Sequence, residues 1–171
     1  MTAAGVLTAE DRIELIDGWI VEKAVQSPRY ACAMNICRGL FRELLPAGWY
    51  SRGFGSLVTP TSVPEPAVSI VKGEPGDYCV RHPTGADTAL VVEVADTRLE
   101  FDREKSRLYA EAGVPFYWIV NLPDSVLEVY SRADIRSRKY AETRILIRSD
   151  VVVLTLPDDR SITLNVASLF P

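Results

Sequence analysis

Residues 88–96, TALVVEVAD, constrain the fold more than any other stretch of this chain. Apolar side chains stand at adjacent as well as alternate positions. That is the pattern of a strand covered on both faces, a central strand of a layered sheet. One residue breaks the pattern: Glu93, near the end of the run. Burying an unpaired carboxylate costs several kcal/mol, so a metal ion, a lysine or a hydrogen-bond network has to offset it. Each of the three has a different functional meaning.

The rest of the chain supplies layers for such a strand. IELIDGWIVEK, 13–23, is two short apolar-alternating runs joined by Asp17-Gly18, a hairpin signal. Ser27 and Pro28 open a helix as N-cap and first helical residue, and Ala33, Ile36, Leu40 and Leu44 continue it at helical spacing up to Pro46 and Gly48. WYSRGFGSLVT reads as a strand interrupted by glycines, and AVSIVKG as a short strand entered through Pro-Glu-Pro. RLEFDREKSRLYAEAG is an amphipathic helix that stops at Gly113. VPFYWIVNL is a second apolar strand, turned back by Pro123-Asp124 into VLEVYSR. Strands follow near 140–148, 151–156 and 161–165, with a short helix at VASLF. Hairpin, helix, strands, helix, strands: the expectation is one α/β or α+β domain over residues 1–171, with a mixed central β-sheet flanked by helices.

Composition narrows the chemistry. There is one histidine, His82, so a His-rich metal site is excluded, as is a nucleophile–His triad unless His82 serves it. Cys32, Cys37 and Cys79 show no CxxC spacing and read as reduced core thiols. No segment approaches the ~20 apolar residues needed to cross a bilayer, and the N-terminus has no signal-peptide pattern; no membrane partner and a cytoplasmic location are expected. A net charge of −4 argues against coating nucleic acid by bulk charge. Between Arg132 and Arg148, however, six basic residues face only Asp134 and Glu142. They could contact phosphates, or protect a solvated hairpin edge from aggregation.

Glu93 lies where ligand sites of open sheets gather, at a strand end. Lys105 follows on the next helix, which can return it to that end if it packs against its own strand. Such a pair admits metal-assisted phosphodiester hydrolysis, with the carboxylate on Mg²⁺ and the lysine on developing negative charge. It equally admits an ion pair that only orders the fold.

The segments RIELIDGWIVEK, SPRYA, VPEPAVSIVKG, the run from His82 to Tyr130 and the closing VASLFP together resemble the Uma-two family of bacterial restriction-endonuclease-like proteins, which have the PD-(D/E)XK nuclease fold. The resemblance spans nearly the whole chain and is most specific from His82 to Tyr130. It implies a DNA endonuclease dependent on Mg²⁺ or Mn²⁺, acting as a homodimer. Glu93 then matches the acid of the (D/E)xK element and a metal ligand. Residue 95, where the lysine would stand, is Ala95, and Lys105 takes that part from the helix. Glu14 matches a hairpin glutamate able to reach the metal cluster. Asp96 and Asp102 also match family positions, but their own context reads as a capping aspartate and a first-turn acid.

Two positions depart from the family pattern. The aspartate that would open the strand after Pro-Glu-Pro is Ala67, and the histidine of the SPxH element is Tyr30. A methyl group cannot bind Mg²⁺, and Glu65, held between two prolines, is a poor substitute. Losing one of two or three carboxylates from a hard-cation site is expected to cost about 4 kcal/mol or more of transition-state stabilisation. The expectation is thus a catalytically impaired endonuclease, or an inactive nuclease fold that binds nucleic acid or protein. In either case Glu93 and Lys105 converge on a shared polar pocket, with Ala67 lining its vacant side.

Overall fold

The structure, a computed structural model, describes residues 12–171. It opens with a hairpin of β1 (Ile13–Ile16) and β2 (Trp19–Glu22). Asp17 and Gly18 both take positive φ, 48° and 80°, the backbone a two-residue turn needs to match the twist of its strands. Helix α1 (Pro28–Leu44) begins as its sequence directs: the Ser27 hydroxyl accepts the Tyr30 N–H at 3.0 Å, and proline occupies the first turn, where a missing N–H costs nothing. Then come β3 (Trp49–Gly53), β4 (Val68–Lys72), β5 (Thr88–Ala95), helix α2 (Leu99–Glu111), β6 (Phe116–Asn121), β7 (Val126–Asp134) and β8 (Lys139–Ile147). A second hairpin of β9 (Val151–Thr155) and β10 (Ser161–Asn165) leads to a 3₁₀ turn at Val166–Leu169.

Six strands form one sheet in the order β3-β4-β5-β6-β7-β8. Only β5 and β6 run parallel, joined by α2 as the crossover that such a pair requires. All eight residues of β5 are buried, as its two-sided apolar pattern dictates. Its even-numbered residues Leu90, Val92 and Val94 pack with Ala33, Met34, Cys37 and Phe41 of α1, and with Val152, Leu154, Ile162 and Leu164 of the closing hairpin. Its odd-numbered Val91 and Ala95 pack with Tyr109, Val114, Tyr117 and Ile119 on the α2 side. Glu93 shares the odd parity, so the strand aims its carboxylate at α2.

Three local expectations need correction. The WYSRGFGSLVT strand stops at Gly53, because Phe54 turns to φ 51°. The terminal helix is a single 3₁₀ turn. Of the three thiols only Cys37 is a core thiol; Cys32 lies on the outer face of α1 and Cys79 in a loop, both exposed. The Arg132–Arg148 stretch forms β7, β8 and their turn, an edge hairpin whose cations are largely exposed.

Candidate active site

Four elements bring polar groups to the end of β5. The β1–β2 hairpin contributes Glu14, β5 contributes Glu93, α2 contributes Lys105 and Tyr109, and the segment entering β4 contributes a backbone N–H. Lys105 Nζ donates to Glu93 Oε1 at 3.2 Å and lies 2.9 and 3.0 Å from the two oxygens of Glu14. Tyr109, one helical turn beyond Lys105, donates its hydroxyl to the same Glu93 oxygen at 3.0 Å. The other oxygen of Glu93 accepts the Ala67 N–H at 3.1 Å, and Glu14 accepts the Glu65 N–H at 3.3 Å. The question posed by Glu93 has a direct answer: a lysine, a tyrosine and a main-chain amide offset the burial of its charge.

The electrostatics follow from that geometry. Glu93 is 5% exposed and Lys105 6%. Burial pulls the ammonium of Lys105 down, but the charges of Glu93 and Glu14 outweigh it and hold Lys105 above the ordinary lysine range, so it stays charged. Burial, partly countered by Lys105 and reinforced by Glu14, raises Glu93. The Asp102 carboxyl is pushed up to about 8, first by burial and then by the charge of Glu93. Burial and the charges of Glu93, Asp102 and Glu14 likewise raise the phenol of Tyr30. These groups meet in a cavity of about 330 Å³ that Glu14, Glu93, Asp102, Lys105 and Tyr30 line. Arg12, Lys23, Glu65 and Arg98 also line it, with Lys23 and Glu65 joined as a close ion pair. Phe101 stands under the Lys105 ammonium, 5.1 Å from ring centroid to Nζ.

Of the residues singled out from sequence, Glu14, Glu93 and Lys105 meet in one network. Ala67 is adjacent, but its part differs from the expectation. It reaches Glu93 through its backbone, while its methyl is buried with the main core and does not line the cavity. Register sets Ala67 opposite Glu93, since Val68 pairs with Val92: its amide reaches the carboxylate, while its methyl is too short to reach the cavity. Asp96 lines the cavity and accepts the Ser27 hydroxyl at 2.5 Å, tying the strand end to the start of α1. Asp102 is more than a first-turn acid, since its position on α2 turns it into the cavity. Tyr109 was missed, although its spacing of four from Lys105 on one helix marks a shared face. Lys23, Arg12 and Arg98 had no such local signal.

Do these residues suit a divalent cation? Two carboxylates stand together, but the Lys105 ammonium already bridges them, and Ala67, where the resemblance implies a third oxygen ligand, offers only a methyl. Among the described residues no group of three or more His, Cys, Asp or Glu side chains is placed to hold a metal ion. The set present does not fit a complete hard-cation site.

A search of the solved structures finds matches, among them a protein from Anabaena variabilis described as a "putative nuclease belonging to DUF820", with a TM-score of 0.75 at 12% identity, covering 98% of this chain and 94% of that one. At that identity the likeness establishes a shared fold. No curated protein matches the chain. The family model Uma2, "Putative restriction endonuclease", matches residues 4–167, nearly the whole length. With its hairpin glutamate, central-strand glutamate and helix lysine gathered at one strand end, this chain belongs to the Uma2 family and carries its restriction-endonuclease-like fold.

Proposed function

We infer that this protein is a DNA-directed member of its family whose phosphodiester-cleaving site is impaired. The observation that carries the reading is the Glu14–Lys105–Glu93 network beside Ala67, with acid and amine retained and the third ligand replaced. In an Mg²⁺- or Mn²⁺-dependent endonuclease the carboxylates would hold the ion and the amine would face developing charge. Here the ammonium of Lys105 is engaged by both Glu14 and Glu93, which draws it away from a phosphate. DNA contact is supported by Arg12 and Arg98. Both line the cavity, and among the described residues each bonds only a backbone carbonyl, of Ala24 and Glu22 respectively. Two copies acting together would address two strands.

The test is cleavage of supercoiled plasmid with Mg²⁺ or Mn²⁺ by three proteins: the native chain, Ala67→Asp, and Ala67→Asp/Glu93→Ala. The native chain is expected to be silent or slow, Ala67→Asp to gain nicking, and the double variant to lose it. Because Ala67 is buried, a thermal melt of each variant accompanies the assay. Robust cleavage by the native chain that vanishes in Glu93→Ala would overturn the impairment. If duplex DNA does not bind at low salt, the alternative of a protein-binding nuclease fold takes its place.

A further inference from the structure

We propose that β8 is a self-complementary edge through which two copies of this chain pair antiparallel, about a two-fold axis at Thr143. The inference deepens the two-copy reading above and rests on it. Strand β8 closes one end of the six-stranded sheet. Its inner side pairs with β7, and among the described residues no backbone hydrogen bond joins its outer side to another element. It is nine residues long and free of proline, and its pairing with β7 keeps a single register. Ile145 and Ile147 are each 56% exposed on it. Soluble proteins normally blunt such an edge by shortening, bulging or covering it. Shortening, bulging and covering are all absent from β8, and the device it does carry, the charges of Lys139, Glu142 and Arg144, is arranged so that a second copy can answer it.

The sequence KYAETRILI fits itself when reversed. With the axis at Thr143, Glu142 of each copy faces the partner's Arg144, twice over. Ala141 faces Ile145, Tyr140 faces Leu146, and the aliphatic stem of Lys139 lies along Ile147. The pleat permits the axis to move only so that paired residues share a face. An axis at Glu142 sets the two Glu142 carboxylates together, and one at Arg144 sets the two guanidinium groups together, so charge disfavours both neighbouring registers; Thr143 is the one that centres the strand and pairs all nine of its residues. Arg144 is available: it makes no ion pair among the described residues, whereas Glu142 is bound by the exposed Arg132 at 2.8 Å and by the Ser131 hydroxyl at 3.3 Å, with half of its side chain still exposed.

Edge pairing buries less than the roughly 1,200–2,000 Å² of a standard stable interface, so association depends on concentration. The test takes the full chain at tens of micromolar through light scattering and native mass spectrometry. The native chain is expected to be dimeric. Glu142→Arg and Arg144→Glu, both at exposed positions, are each expected to be monomeric with unchanged melting curves. Mixing the two single variants is expected to restore a dimer containing one of each, because one copy then presents two cations on β8 and the other two carboxylates, and opposite charges face each other at both positions across the axis. The double variant, with the two charges exchanged, is expected to dimerise by itself. A dimer that survives both single changes overturns the β8 interface while leaving the two-copy reading intact. Failure of both the mixture and the double variant to recover overturns the Thr143 register. A monomeric native chain overturns both the interface and the two-copy reading.

Discussion

Lys105 is the residue on which the site's stability turns, because its single ammonium serves two buried carboxylates. A buried pair adds little net energy, but removing one partner strands the other. Lys105→Ala leaves Glu14 and Glu93 facing each other without a cation, and is expected to cost about 3–5 kcal/mol. Glu14→Gln/Glu93→Gln added to that change should recover most of the loss, a comparison that denaturant unfolding resolves. Asp102 supplies a pH signature. A carboxyl pushed up to about 8 keeps its proton in the folded state, while the unfolded chain releases it near pH 4. Between those values the folded state binds more protons, so this group makes stability fall as pH rises from about 4 to about 8, and adds no further slope above. Asp102→Asn lacks that slope. Its advantage over the native chain is expected to grow across the window and then level off; a difference that does not change with pH would count against the assignment.

At the scale of elements, the site is held by contacts between the ends of strands and helices. Gly85 sits in a 3₁₀ turn (Gly85–Asp87) packed against the C-terminal end of α2, where an added Cβ would lie 1.8 Å from the Ala112 carbonyl oxygen. Gly85→Ala must push the turn off the helix that carries Lys105, and a loss of about 1–3 kcal/mol in thermal or chemical unfolding is expected. The elements themselves were legible because their signals are local. The Asp17-Gly18 turn, the Ser27-Pro28 start of α1 and the two-sided burial of β5 each depend on a handful of neighbouring residues. Glu93 and Lys105 were legible too, since a strand and the helix that follows it pack together. What stayed hidden depends on register between distant segments. That Ala67 stands opposite Glu93 and gives it a backbone N–H follows from how β4 pairs with β5. That Glu65 is tied to Lys23 follows from where the first hairpin docks, and no spacing in the sequence encodes either.

For the whole molecule, a net charge of −4 sets a limit on how DNA can be held. Bulk attraction is absent, so affinity at the candidate site depends on the cations around the cavity that no carboxylate neutralises. Arg107 is committed to Asp17, and Arg138 to Asp17 and Glu111. Arg103 is committed to Glu100 and Glu128. Arg12 and Arg98 at the cavity wall have no carboxylate partner among the described residues. Each phosphate neutralised on duplex DNA contributes a slope of about −0.9 to log affinity against log salt, so two contacts give about −1.8. Raising salt from about 50 to 200 mM is then expected to weaken binding roughly tenfold, far less than for a protein that grips many phosphates. Arg98→Gln should flatten the slope by about 0.9, and Lys139→Gln on the distant edge strand should leave it unchanged. Fluorescence anisotropy on a labelled duplex measures both. A steep slope untouched by Arg98→Gln would place the DNA on another surface and separate its binding from the Glu14–Lys105–Glu93 network.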